Sequence, residues 1–214
     1  MAHKVFFSFH FKRDAWRAGQ VRNFDLLADE DEYGVIDAVE WEKIEREGDA
    51  AIQRWINDQL KYTSVTVVLI GAENAEREWV NYEIRKSWER GNAIVGLRIH
   101  NIKNQKQETD VPGINPLDQI QLVDGTKLSA ICKTYDWNSD DGRNNLGRWV
   151  DQAFESRAKY TGETKLKEDN AQKTATTSTT SSYAFTPRST PQSPQAQSPF
   201  KPHAPWSDNA NRTR

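Results

Sequence analysis

The clearest pattern of apolar and polar positions lies in residues 64–99. Residues 64–71 and 93–99 are short apolar runs, which are typical of buried strands. Between them, residues 74–91 carry apolar side chains at helical spacing, with one stripe formed by Val80, Ile84 and Trp88. A strand, a helix and a strand within so short a stretch predict a parallel βαβ unit.

The predicted helix of this unit has recognisable ends, and a second row of side chains runs beside its apolar stripe. Asn74 is the expected N-cap, and Gly91 is the expected glycine beyond the last turn. The row beside the apolar stripe contains Trp79, Glu83 and Ser87. Glu83 is therefore expected at the margin of the core, where it could line a crevice at the C-terminal ends of the strands. The alternative is a surface glutamate in contact with Ser87 or Lys86.

The rest of the chain alternates between the two patterns. Further strands are predicted at residues 4–9, 33–38, 119–123 and 131–137, and further helices at residues 15–28, 49–61 and 144–158. In the first of these helices, the side chains expected in the core are Trp16, Val21, Phe24 and Leu27. A polar connection that contains Trp41 is expected to precede the helix at residue 49. This alternation predicts a three-layer α/β fold, in which helices flank a parallel sheet of four or five strands.

The composition changes near residue 161. Residues 171–205 are mostly Thr, Ser, Pro, Gln and Ala, and such a segment buries too little apolar surface to offset its ordering entropy. We therefore predict a folded domain over residues 1–160 and a disordered Ser/Thr/Pro/Gln-rich tail over residues 161–214.

Charge and cysteine content narrow the function classes. The chain has a formal charge of −2, and the tail has seven Lys or Arg against four Asp or Glu, which leaves the body at −5. An acidic body argues against a broad nucleic-acid surface. Cys132 is the single cysteine, so an intramolecular disulfide is excluded and a reducing cytoplasm is the expected location. No signal peptide or apolar run of membrane-spanning length is evident, so no membrane association is expected.

The sequence lacks the motifs that mark several common functions of α/β folds. The chain has neither a dinucleotide-binding Gly-x-Gly-x-x-Gly nor a P-loop, and no Gly-x-Ser-x-Gly elbow. The loop after the first strand does not resemble a flavodoxin phosphate cradle, and the strand at 64–71 ends without a phospho-acceptor aspartate. The four histidines are scattered, so neither a metal site nor a bound cofactor is expected.

Six separated motifs together resemble the TIR-like proteins of the Thoeris antiphage system. They are VFFSFH at 5–10, VRN at 21–23, GVIDA at 34–38 with the following Trp41-Glu42, TSVTVVLIG at 63–71, WVNYEIRKS at 79–87, and GN at 91–92. The resemblance covers residues 3–100, with a weaker trace in NPLD at 115–118.

The resemblance implies a flavodoxin-like TIR fold and an enzyme that acts on NAD⁺. Such an enzyme cleaves the N-glycosidic bond, releases nicotinamide and cyclises the ADP-ribose part into a signal for an effector protein of the same system. NAD⁺ is then a substrate rather than a cofactor, and a homo-oligomer is compatible with the family. The family's catalytic glutamate lies in the Trp-x-x-Tyr-Glu motif, which places it at Glu83 here.

The remaining site candidates come from the same motifs. The substrate-binding candidates are Phe6, Ser8, His10, Arg22, Asn23, Asp37, Trp79 and Tyr82. An aromatic-lined pocket would exclude water and favour an internal nucleophile. Three candidates have structural alternatives: His10 as a helix cap, Arg22 as an ion-pair partner of the acidic residues 29–32, and Asp37 as a turn residue.

Two other functions are compatible with the pattern. A nucleoside deoxyribosyltransferase-like enzyme shares the fold type and uses a glutamate on an N-glycoside, but as a covalent nucleophile. A non-enzymatic TIR-like adaptor would act by self-association. Trapping of a ribosylated Glu83 would favour the first alternative, and a Glu83→Gln variant with full biological activity would favour the second.

Overall fold

The computed structural model describes residues 3–22, 38–157 and 165–168. The strands are β1 (Val5–Ser8), β2 (Val65–Ile70), β3 (Ala93–Arg98) and β4 (Thr134–Asp136). The helices are α1 (Phe11–Arg22), α2 (Ala38–Glu47), α3 (Asp49–Lys61), α4 (Glu78–Glu89), α5 (Leu128–Ile131) and α6 (Gly142–Arg157). Two 3₁₀ turns occur at Asn74–Glu76 and Pro116–Asp118.

Within the described residues, the sheet has four parallel strands in the order β1-β2-β3-β4. Side chains from one set of alternating strand positions pack with α1 and α6, whereas those of the other set pack with α3 and α4. Because β2 has helices on both sides, all six of its residues are buried. The three-layer α/β fold with a parallel sheet is therefore confirmed, and it agrees with a flavodoxin-like, TIR-like architecture.

The first helix differs from its prediction in position and in buried face. It begins at Phe11, and the predicted core residue Trp16 is 50% exposed. The inward face consists of Asp14, Arg17, Ala18 and Val21. Two of these residues are charged, so the apolar pattern could not reveal which side faces the sheet. The predicted core residues Phe24 and Leu27 lie outside the described residues.

The predicted polar connection before residue 49 is wrong, because residues 38–47 form α2. This segment is rich in Glu, Lys and Arg, which are good helix formers even where apolar side chains are sparse. Ile44 packs against the core cluster under α3. Residues 33–37 of the predicted second strand lie outside the described residues, and Ala38 belongs to α2.

The helix of the βαβ unit starts later than predicted. Asn74 belongs to a separate 3₁₀ turn, where its buried side chain accepts from the Gly71 backbone N–H and donates to the Leu69 carbonyl. It therefore satisfies the backbone at the end of β2, and Arg77 occupies the N-cap position of α4. Gly91 has φ of 77°, a left-handed conformation that glycine adopts without strain, so this predicted helix end is confirmed.

The C-terminal part of the domain is less regular than predicted. Residues 119–123 form no strand; Gln121 and Leu122 make single bridges to Lys127 and Leu166. The strand predicted at 131–137 is confirmed only for β4. Leu166 packs against the core, and the predicted domain boundary at 160 stays a prediction. None of the helices in the described residues combines the length and the hydrophobicity of a membrane-spanning segment.

Candidate active site

The end of β1 and the middle of α4 bring Ser8 and Glu83 together. Ser8 is fully buried, and Glu83 is 7% exposed. The Ser8 hydroxyl donates to Oε2 of Glu83 at 2.5 Å, although the two residues are 75 positions apart. Glu83 was expected at the margin of the core, but it is buried because α4 lies against the C-terminal end of β1.

The protonation of Glu83 is controlled mainly by burial. Loss of water raises the pKa of this carboxyl to about 8, and the hydrogen bond from Ser8 opposes the rise. Among the described residues, no Lys or Arg forms an ion pair with Glu83. The Glu83 carboxyl is therefore largely protonated at neutral pH when no cation is bound beside it.

Glu83 lies in the wall of a cavity of about 290 Å³. The aromatic residues of this wall are Phe6, Phe7, Phe9, Phe11, Trp55 and Trp79. They create the low-dielectric surroundings in which electrostatic interactions are strong. The structure thus places the candidates Phe6 and Trp79 beside the candidate catalytic carboxyl.

The same cavity has a polar side formed by residues that follow β1 and precede α4. His10, Lys12 and Arg77 line it, and Lys12 pairs with Glu45 at 2.9 Å. Burial lowers the pKa of His10, and the nearby positive charge of Arg77 lowers it further. The imidazole is therefore neutral at neutral pH. The cations on this side are Lys12 and Arg77, and Arg77 pairs with Glu73. The cavity is also lined by Glu45, Glu76 and Glu78.

The other predicted site residues have different positions. Tyr82 packs edge-on against Trp79, with ring centroids 5.9 Å apart, and its hydroxyl accepts from Asn57 at 3.0 Å. It supports the aromatic wall without lining the cavity. Arg22 is half-buried at the end of α1, away from the cavity, and burial lowers its pKa. Asn23 and Asp37 lie outside the described residues.

Several residues that line this cavity were not among the predicted site residues, and they include Lys12, Trp55 and Arg77. Lys12 follows β1 closely, and a basic residue after the first strand was the available signal for it. Trp55 belongs to the helix predicted at residues 49–61, and no local pattern showed that its side chain lines a cavity. Arg77 lies within the predicted helix at residues 74–91, whereas in the structure it precedes α4. Among the described residues, no cluster of three or more side chains could hold a metal ion.

Comparison with known proteins identifies the class of protein to which this chain belongs. Residues 6–104 match the family described as "Thoeris protein ThsB, TIR-like domain", and this range contains both Ser8 and Glu83. The chain is also 34% identical over 191 residues to a protein of Bacillus cereus (strain MSX-D12) named "Putative cyclic ADP-D-ribose synthase ThsB1". That match covers 70% of this chain and 100% of the relative. The chain therefore belongs to the ThsB family of Thoeris TIR-like proteins.

Proposed function

We propose that the protein cleaves the N-glycosidic bond of NAD⁺, releases nicotinamide and closes the ADP-ribose part into a cyclic product. The observation that carries the proposal is the buried Glu83, which Ser8 holds in an aromatic cavity and which has no cationic partner among residues 3–22, 38–157 and 165–168. The name of the Bacillus cereus relative supports the class of product.

The electrostatics of the site suit a cationic substrate. The nicotinamide ring of NAD⁺ is positively charged, and the ribosyl transition state has oxocarbenium character. Either charge near Glu83 favours the ionised carboxylate over the protonated form. The carboxylate then stabilises the charge that develops at the sugar, which lowers the barrier. Since nicotinamide leaves as a neutral molecule, the step requires no general acid.

The bonds between carbon and nitrogen or oxygen that break and form in the proposed reaction all belong to the substrate, and only a proton passes to the protein. The bond between C1′ and the nicotinamide nitrogen breaks, and its electron pair stays on that nitrogen. A nucleophilic atom of the same ADP-ribose then forms the new bond to C1′. Any proton that this atom loses can pass to Glu83, because a pKa of about 8 makes the carboxylate a competent acceptor near neutral pH.

The volume of the cavity indicates which part of the substrate it would hold. Its volume of about 290 Å³ is at the lower limit for ligand pockets, so it suits one end of a dinucleotide. We assign the nicotinamide and its ribose to the wall formed by Phe6, Trp79 and Glu83. Lys12 and Arg77 would then contact the phosphates in exchange for their ion pairs with Glu45 and Glu73. Exclusion of water by the aromatic wall favours cyclisation over hydrolysis.

The family membership supports a proposal for the wider role of the protein. We propose that the cyclic product activates an effector protein of the same antiphage system, and that the enzyme acts in the cytoplasm. Assembly into a homo-oligomer is a further part of this proposal, since TIR enzymes often act as assemblies.

The function is tested by mass spectrometry of extracts from phage-infected bacteria. Cells that express the wild type should lose NAD⁺ and gain nicotinamide and an ADP-ribose-derived species. Cells that express Glu83→Gln should not. Glu42→Gln is the matched control, because Glu42 is an exposed glutamate of α2 that does not line the cavity, and it should leave the product unchanged. Equal product from wild type and Glu83→Gln would contradict the proposal.

A further inference from the structure

A second and larger cavity lies at the other end of α4. Its volume is about 630 Å³, compared with about 290 Å³ for the cavity beside Glu83. Trp88 at the C-terminal end of α4, Ala93 at the start of β3 and Gln152 of α6 contribute to its wall. The two cavities share no lining residue, so the larger one is not an extension of the candidate active site.

The lining of this second cavity has an excess of positive charge. Its cationic side chains are Arg90, Lys133, Arg157 and Lys165. Glu89 is the acidic residue among the described lining residues, and it pairs with Lys86 at 2.6 Å. Since the body of the chain is acidic as a whole, this local excess makes the cavity attractive to anions.

Arg157 contributes the most specific feature. Its Nε is buried and has no hydrogen-bond partner among the described residues, and buried donors are rarely left unpaired. Its guanidinium lies over Gly91, where an added Cβ would be 3.1 Å from Nη2. The glycine thus leaves space for the guanidinium at the cavity, and an anionic ligand would supply the missing acceptor.

The apolar part of the lining contains aromatic rings. Tyr135 and Trp149 are stacked, with ring centroids 4.1 Å apart and an interplanar angle of 4°, and Trp88 also lines the cavity. Ile94 and Cys132 complete an apolar floor. Aromatic walls bind planar rings, and arginine binds phosphate through paired N–H groups.

We propose that this cavity is a second ligand site, which binds a mononucleotide or a similarly small aromatic anion. The ring of the ligand lies against the aromatic wall, and its phosphate contacts Arg157 and Lys133. The proposal does not depend on the proposed NAD⁺ chemistry, because it concerns a cavity without Glu83.

The test is calorimetric titration of AMP into the full chain. AMP should bind the wild type, and Arg157→Ala should weaken binding by about tenfold or more, which corresponds to the loss of one charge-assisted phosphate contact. Ser156→Trp, which places a bulky ring at the cavity wall, should abolish binding. Arg148→Ala is the matched control on the same helix and should bind as the wild type does.

Two further measurements make the test decisive. Trp79→Ala should keep AMP binding, since Trp79 lines only the cavity beside Glu83. Circular dichroism verifies that each variant is folded, and Lys133→Glu replaces any variant that is not, because Lys133 is exposed. The proposal is overturned if millimolar AMP does not bind, if binding survives Ser156→Trp, or if Trp79→Ala removes it.

Discussion

The buried carboxyl groups of Glu83 and Asp14 both lie near the C-terminal ends of the strands, but their surroundings differ. Glu83 has a hydroxyl partner and no cationic partner in the part of the chain that the structure describes, and its pKa is raised to about 8. Asp14 is fully buried, but Nη1 of Arg17 lies 3.6 Å from its Oδ1. Burial raises the pKa of Asp14 to about 6, and the charges of Arg17 and Arg13 oppose the rise. Burial therefore leaves Glu83 with a higher pKa than Asp14, because nearby arginines stabilise the charged form of Asp14.

The arginines near Asp14 belong to a structural network. Arg13 donates to both carboxylate oxygens of Asp110, and Nε of Arg17 donates to the Ile102 carbonyl at 2.9 Å. Gly71 leaves the space that Asp14 occupies, since a Cβ there would be 2.2 Å from its Oδ2. The network fixes the segment after β3 against α1. Asp14 thus has its counter-ions within the fold, whereas no described residue supplies one to Glu83, and a cationic ligand could do so.

The largest expected effect is on turnover. Glu83→Gln should reduce nicotinamide release by about 10³-fold or more, because it removes the charge that stabilises the transition state. Asp14→Asn should reduce it by less than about tenfold, since Asp14 does not line the cavity. Steady-state assays of nicotinamide release on both variants make the comparison. Comparable losses in the two variants would show that the difference in surroundings has no catalytic meaning.

The next effect is a pH dependence that belongs to Glu83. For the free enzyme, kcat/KM should rise about tenfold per pH unit and level off above about pH 8, because only the ionised carboxylate is active. Asp14→Asn should keep this profile. The measurement is kcat/KM for nicotinamide release at a series of pH values. A flat profile between about pH 6 and about pH 8 would exclude the raised pKa as a kinetic factor.

A smaller effect is expected from the hydroxyl that holds Glu83. Because the Ser8 hydrogen bond lowers the pKa of Glu83, Ser8→Ala should raise it further and slow nicotinamide release about tenfold at neutral pH. The deficit should shrink as the pH rises.

The matched control for Ser8 is Ser87→Ala. Ser87 is also a buried serine, but its hydroxyl bonds to Thr66 at 2.7 Å. It lies on the same helix as Glu83 and should leave the pH dependence of the rate unchanged. A rate deficit of Ser8→Ala that is equal at every pH would indicate a packing defect instead.

The smallest effect is on stability. The folded pKa values of both carboxyls are raised, so the native state retains protons that the unfolded chain releases, and stability falls as the pH rises through that window. Glu83→Gln should therefore raise the melting temperature by a few degrees, and its advantage should grow until about pH 8. The advantage of Asp14→Asn should be smaller and stop growing near pH 6.

Thermal melts at several pH values measure this difference. They also test whether the site assignment is compatible with the fold, because a functional carboxyl in an apolar cavity is expected to reduce stability. A large drop in the melting temperature of Glu83→Gln would assign that carboxyl a structural role.

The sequence predicted those parts of the molecule in which one local pattern dominates. The apolar runs of β2 and β3 and the stripe of α4 defined the βαβ unit, because burial on both faces requires nearly continuous apolar strands. The charged inward face of α1 gave no such signal, which is why Trp16 was assigned to the core. The motif around Glu83 indicated the residue, but its burial depends on β1, which is distant in the chain. The contributions of Trp55 and Arg77 to the cavity likewise depend on tertiary packing.

The most direct test of the central claim is an NMR titration of the Glu83 carboxyl carbon, assigned with Glu83→Gln. The titration is made on the free protein, with the cation 1-methylnicotinamide, and with neutral nicotinamide. We expect a pKa near 8 in the free protein, a clear fall with the cation and little change with nicotinamide. A free pKa in the ordinary range of glutamate, or a pKa that the cation does not lower, would contradict the claim that Glu83 takes its counter-ion from the substrate.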